Sequence, residues 1–145
     1  MALNRLQQLY RSVIVEAAAK PATWGDVSGT VPVHAVNPSC GDKLDLALRL
    51  DETGRISGLA VPTTGCTISQ ASASLLVGVV AGKTRAEALT LTDEFIAMIR
   101  EGTPAPAALG DAVALASVHE FPARVKCALL AWTALRQALG AKGAA

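Results

Sequence analysis

Leu44-Asp45-Leu46-Ala47-Leu48-Arg49-Leu50 decides the fold. Leucine at every second position puts four apolar side chains on one face of a strand and Asp45, Ala47 and Arg49 on the other. Asp51 to Arg55, with Gly54, then makes a turn, and Ile56 to Val61 returns as a second β-run. Adjacent runs joined by a short turn pair antiparallel. Upstream, Val27 to Val36 is β-branched and alternating, which adds a third strand.

Downstream the period changes. Ser69 to Ala81 reads as a helix with small residues on one side, and Thr84 to Arg100 as an amphipathic helix with Ala88, Leu91, Phe95, Met98 and Ile99 inside. Gly102, Pro104 and Pro106 break it. Ala107 to Ala116 reads as a short helix, and Arg124 to Leu139 as the last one, ended by Gly140. On the N-terminal side, Leu3 to Ala19 is helical, with Leu6, Tyr10, Val13, Ile14 and Ala17 on one face, and Pro21 stops it. Strands followed by helices predict an α+β fold, a small three-stranded antiparallel sheet with helices packed against it. The length of 145 residues predicts a single domain over 1–145.

Composition narrows the function. The chain is 51% apolar but only 3% aromatic, so its core is built from small aliphatic side chains in closely packed helices. The net charge of +1, with no basic tract, sets nucleic-acid binding aside. Met1 to Gln8 has no apolar run after a basic start, and Leu75 to Ala81 is too short to span a bilayer. A cytoplasmic protein with no membrane partner is expected. No GxGxxG or P-loop occurs, which disfavours nucleotide binding.

The three cysteines, Cys40, Cys66 and Cys127, are odd in number and widely spaced. That is a poor disulfide framework, and metal binding or thiol chemistry is the better reading. Cys40 lies in Asn37-Pro38-Ser39-Cys40-Gly41-Asp42, between two strands. Cys66 follows Thr63-Thr64-Gly65, between a strand and a helix, where a helix N-terminus favours the thiolate. Cys127 falls near the start of the last helix. Gly41 allows a tight turn that points Cys40 and Asp42 at one ion. Three thiolates and one carboxylate complete a tetrahedral zinc shell. Lys43, Arg124 and Lys126 neighbour these ligands in sequence and offset their negative charge. The carboxylate, a harder ligand than sulfur, is the easier one to displace, so the site can open. Spacing alone leaves a second reading open, in which the three cysteines are buried separately as small apolar residues.

These stretches, with Tyr10-Arg11-Ser12-Val13-Ile14, Gly65-Cys66-Thr67-Ile68-Ser69-Gln70-Ala71-Ser72-Ala73-Ser74, Gly82-Lys83-Thr84, Glu87-Ala88-Leu89 and Phe121-Pro122-Ala123-Arg124-Val125-Lys126-Cys127-Ala128-Leu129-Leu130-Ala131-Trp132, resemble the IscU/NifU-like superfamily, and within it the SufU branch. The likeness runs over nearly the whole chain in order. Scaffold-type IscU proteins carry a histidine just before the third cysteine, where this chain has Lys126. SufU-type proteins have a longer stretch between the second and third cysteines, which Glu101 to Glu120 supplies. The resemblance implies a zinc-dependent sulfurtransferase serving a PLP-dependent cysteine desulfurase of the SufS type, with downstream iron–sulfur assembly proteins as further partners. It implies that Cys40 receives the persulfide and that Cys40, Asp42, Cys66 and Cys127 hold zinc. It also implies that a histidine of the desulfurase displaces Cys40 from the metal. Arg124 and Lys126 are candidates for stabilising the thiolate or contacting the partner. The alternative is an assembly scaffold that holds a nascent iron–sulfur cluster on the same cysteines.

The remaining conspicuous residues have plainer readings. His34 and His119 read as structural histidines, His119 being the nearer to the site. Trp24 and Trp132 read as packing or interface residues. Ser69, Ser72 and Ser74 lack a His/Asp partner pattern and read as capping and small-residue packing.

Overall fold

The structure, a computed structural model, describes residues 5–140. Helix α1 spans Arg5–Ala19, followed by strands β1 Thr23–Gly25, β2 Val33–Asn37, β3 Asp42–Leu50, β4 Ile56–Ala60 and β5 Thr63–Thr64. Helices α2 Thr67–Val80, α3 Arg85–Glu101 and α4 Pro122–Ala138 follow, with a 3-10 segment, Ala107–Glu120, between the last two. The expected helix start at Leu3 and the side chain of Leu6 lie outside the described residues.

The leucine alternation holds over the first half of β3, where Leu44 and Leu46 are buried and Lys43 and Asp45 beside them are exposed. It fails at the far end, where the register shifts between Arg49 and Leu50 and Leu50 is exposed. β3 pairs antiparallel with β2 on one side and β4 on the other, giving the order β1-β4-β3-β2. α2 and α4 pack on this sheet, α1 packs on α2, and α3 packs on α4 and the 3-10 segment. The fold is therefore α+β, as the pattern predicts, but with five strands instead of three. The two extra strands, β1 and β5, have three and two residues, too short to show any alternation. β2 is also shorter than the stretch from Val27. The Val27 carbonyl accepts from the Thr30 N–H at 3.2 Å and from its hydroxyl at 2.6 Å, which turns the chain before the strand begins at Val33.

On α3, Ala88, Leu91, Phe95, Met98 and Ile99 are buried as expected. Thr84 caps the helix. Its hydroxyl accepts from the Glu87 N–H at 3.1 Å and its own N–H donates to the Glu87 carboxylate at 2.9 Å, a reciprocal capping box. The short helix expected from Ala107 runs on to Glu120 as 3-10 turns, interrupted at Gly110 (φ 53°, ψ −133°). α4 starts two residues earlier than expected, at Pro122, because the fixed φ of proline suits the first helical position.

The central contact joins α2 and α3 to α4. The Trp132 ring stacks on Phe95 with centroids 3.9 Å apart and planes 7° from parallel. Its Nε1–H donates to the Ser72 hydroxyl at 2.9 Å, and that hydroxyl donates to the Ala128 carbonyl at 2.6 Å. Small residues on α2 (Ala71, Ser72 and Ala73, all buried) let the helices approach closely. This contact fixes the rotation of α4 and turns Cys127 inward, fully buried. His119 donates from Nδ1 to the Ile99 carbonyl at 3.0 Å, tying the 3-10 segment to the end of α3. His34 and Asp45 pair across β2 and β3 on the exposed face of the sheet. Both histidines thus have the structural roles expected of them.

Candidate metal centre

β2 and β3 are joined by a tight turn, Pro38 to Gly41. The Cys40 and Gly41 N–H groups both donate to the Asn37 carbonyl, at 3.2 and 2.9 Å. Gly41 has φ +75°, a left-handed conformation that glycine adopts without strain. The turn brings Asn37 and Asp42 directly opposite each other across the ladder, and both are buried.

The thiols of Cys40 and Cys127 and a carboxylate oxygen of Asp42 lie within 4.8 Å of one another. Cys66 stands outside that group but borders it. Its backbone N–H donates to Asp42 Oδ1 at 3.2 Å, and its thiol faces that of Cys127. Exposure differs across the set: Asp42 and Cys127 are fully buried, Cys66 is half-buried and Cys40 is exposed. The Cys40 thiol makes a long contact with the Ala123 carbonyl at 3.8 Å and meets the Cys127 thiol.

Asp42 carries the densest hydrogen bonding of the site. Besides the Cys66 N–H, it accepts from Asn37 Nδ2 and from the Ser69 hydroxyl, each at 3.2 Å. Burial works to raise its pKa, but the hydrogen bonds from Cys127, the Cys66 N–H, Asn37 and Ser69 together bring it below the ordinary carboxylate value. Every one of these donors is uncharged. A buried, ionised carboxylate with neutral partners beside two further thiols is a donor set that fits a divalent cation, mixing one hard oxygen with soft sulfur.

The thiols differ in acidity for physical reasons. Burial works to raise Cys66, but it stands at the N-terminus of α2, and the Ser69 N–H and hydroxyl with the Cys127 thiol bring its pKa below the ordinary thiol value. That agrees with the helix-terminus argument. Cys127 is different. Burial, then the neighbouring Asp42, Cys40 and Cys66, push its pKa far above that of a free thiol. With α4 starting at Pro122, Cys127 sits in the second turn, beyond the free N–H groups of the first, so the dipole gives it little help.

Of the three flanking cations, the Arg124 guanidinium meets the thiols. Its pKa is raised, first by a hydrogen bond to Cys127 and then by the charges of Cys66 and Cys127. Lys126 is exposed and lines a groove of about 240 Å³ beside the Cys40 turn, with Asn37, Pro38, Ser39 and Arg100. Lys43 is exposed on β3.

Three parts of the site escape sequence reasoning: Asn37, Ser69 and the steric demand at Gly65. A Cβ on Gly65 would lie 2.2 Å from Asp42 Oδ1 and 2.6 Å from Ser69 Oγ, so the carboxylate occupies the space a side chain would need. A signal for Asn37 was present in its place five residues before Asp42, the spacing that pairs two residues across a four-residue turn.

The comparisons with known proteins agree with this arrangement. The sequence matches the family described as NifU-like N terminal domain over residues 9–141. It is 41% identical to the iron–sulfur cluster assembly scaffold protein IscU of Streptococcus pyogenes serotype M1, over 96% of this chain and 87% of that one. It is 36% identical to the zinc-dependent sulfurtransferase SufU of Bacillus subtilis strain 168, over 91% of this chain and 90% of that one. A crystal structure from Fervidobacterium islandicum AW-1, described as a putative iron–sulfur cluster assembly scaffold protein for the SUF system, superposes with a TM-score of 0.81 at 30% identity, covering 92% of this chain and 98% of that one. The chain belongs to the family of NifU-like N-terminal domains, within the IscU/NifU-like superfamily.

Proposed function

We propose that the protein is a zinc-dependent sulfurtransferase of iron–sulfur cluster assembly, taking sulfur on Cys40 from the persulfide of a SufS-type cysteine desulfurase and passing it on. The observation that carries the reading is the division of the donor set. Cys40 is exposed and weakly held, whereas Asp42 and Cys127 beside it are buried. A thiol so placed can leave the cluster and meet a partner while the others stay. The name of the Bacillus subtilis relative, Lys126 in place of histidine, and the segment Ala107–Glu120 between the second and third cysteines support the same branch.

Cys40, Asp42, Cys66 and Cys127 would hold the zinc. Bound zinc keeps coordinated thiols deprotonated near neutral pH. The protein's own part is exchange at Cys40. Its thiolate attacks the outer sulfur of the partner's persulfide and forms a new S–S bond there. The partner's S–S bond breaks and its cysteine leaves as a thiolate. Electrons balance without any outside oxidant. Arg124, set against the Cys66 and Cys127 thiols, offsets negative charge while Cys40 is away.

The test is sulfur acceptance from a cysteine desulfurase supplied with cysteine. Cys40→Ala removes acceptance, and transfer at the wild-type rate by that variant would sink the mechanism. A second reading, a scaffold that carries a nascent cluster on the same cysteines, is favoured by the name of the Streptococcus pyogenes relative. Bound iron and sulfide in the anaerobically purified protein would select it.

A further inference from the structure

Asn37 is buried at the end of β2, with 4% of its surface exposed. It makes contact with three of the proposed ligands by different groups. Its two amide protons have separate acceptors, Asp42 Oδ2 at 3.2 Å and Cys127 Sγ at 3.8 Å. Its carbonyl accepts the Cys40 and Gly41 N–H groups and so shapes the turn that carries Cys40. No other residue among those described bridges the carboxylate and the buried thiol through one side chain.

The two oxygens of Asp42 are treated differently. Oδ1 accepts the Cys66 N–H and lies within reach of the Ser69 hydroxyl. Oδ2 accepts from Asn37, and the carboxylate also meets the Cys127 thiol, whose proton leaves when that thiol binds a cation. A carboxylate oxygen has about two lone-pair positions, so Oδ2 is the atom with one to spare. The amide of Asn37 thus orients the carboxylate so that Oδ2 is the donor atom free for a cation, and it holds Cys127 at the same time.

We propose that Asn37 is the positioning residue of this site: its side chain fixes Asp42 and Cys127 as a rigid pair, and its carbonyl alone holds the Cys40 turn, so that Cys40 moves without disturbing them. The inference rests on the metal-site reading above. It goes beyond that reading by naming a residue that is not a ligand and by dividing three of the four ligands into a fixed pair, Asp42 and Cys127, and a mobile member, Cys40.

The test uses Asn37→Ala and the near-isosteric Asn37→Asp, which keeps shape but loses both N–H donors. Cobalt(II) and zinc affinities are measured by chelator competition, together with the cobalt visible spectrum. Outer-shell partners of metal ligands typically affect affinity by about 10- to 100-fold, and both variants are expected to fall in that range with altered cobalt bands. Ser72→Ala, whose bonds run to Trp132 and Ala128 instead, is expected to lower stability and leave metal affinity unchanged. If the Asn37 variants lose stability but keep wild-type affinity and an unchanged spectrum, Asn37 is merely structural and the proposal falls. A second readout needs no metal. In the metal-free wild type the Asn37 side-chain amide protons should be protected from exchange, and Asp42→Ala should remove that protection. Protected protons in a wild type that binds no metal would uphold the bridge and overturn the metal-site reading. Unprotected protons would overturn the bridge itself.

Discussion

Gly65→Ala is the most informative single change near the site. Gly65 does not have a positive φ, so its backbone would accept alanine, and the effect comes from space alone. The new Cβ would stand 2.2 Å from Asp42 Oδ1 and 2.6 Å from Ser69 Oγ. Ordinary contact begins near 3.4 Å, so the carboxylate must retreat by about 1 Å, roughly the margin that separates a hydrogen bond from none. The Ser69 bond to it is already 3.2 Å long, and with Ser69 Oγ itself crowded by the new Cβ it would break. Overpacking costs about 1–3 kcal/mol, and a lost bond to a charged group about 1.5–3 kcal/mol. A net loss of about 3 kcal/mol corresponds to a fall in Tm of about 6–12 °C for a chain of this size. Displacing a donor atom should also weaken zinc by at least about 10-fold, the lower end of what outer-shell changes do. The assay is zinc competition against a chromophoric chelator, with thermal melts of the metal-free protein. Gly78→Ala is the control. It lies inside α2 with nothing within 4 Å of its would-be Cβ, and it should stabilise by about 0.5–1 kcal/mol. If Gly65→Ala keeps the wild-type Tm and zinc affinity, Asp42 is not packed against Gly65 as described and its place in the donor set fails.

Three further outcomes are expected. The Thr92 hydroxyl on α3 is buried without a hydrogen-bond partner, so Thr92→Val should be neutral or stabilise by up to about 1 kcal/mol in urea unfolding, and a clear loss would reveal a hidden partner. Glu87 has its pKa lowered by hydrogen bonds from the Thr84 backbone and side chain. Its contribution is therefore present above the unfolded value of about 4.3 and lost as pH falls through the folded value. The Tm gap between wild type and Glu87→Gln should be open at neutral pH and closed in acid, and a gap independent of pH would contradict the capping box. His34→Ala should leave zinc content unchanged and stability within about 0.5 kcal/mol, because His34 pairs with Asp45 on the exposed face of the sheet; loss of metal would overturn the ligand set.

The long periodic elements were legible in the sequence because their faces differ. The period of two in Leu44 to Leu50 located β3, and the buried side of α3 matched residue for residue. β1 and β5 were not legible, since strands of three and two residues are created by their neighbours and not by their own pattern. At the site, motif spacing drew attention to Cys40, Asp42, Cys66 and Cys127, and the fold brings Cys40, Asp42 and Cys127 within 4.8 Å of one another with Cys66 at their border. What spacing does not carry is orientation. Arg124 and Lys126 are two residues apart on one helix and looked equivalent, yet Arg124 meets the thiols and Lys126 faces a groove. Residues two apart on a helix point in different directions. The signal for Asn37 lies in turn geometry and not in ligand spacing, since its place five residues before Asp42 sets the two opposite each other across the turn.

The most direct measurement of the central claim is the state of Cys40 after anaerobic incubation with cysteine and a SufS-type desulfurase, read by peptide mass spectrometry alongside metal analysis. The account predicts one added sulfur atom on Cys40, about one zinc per chain and no visible colour. A brown protein holding iron and sulfide, with Cys40 carrying no added sulfur, would contradict it.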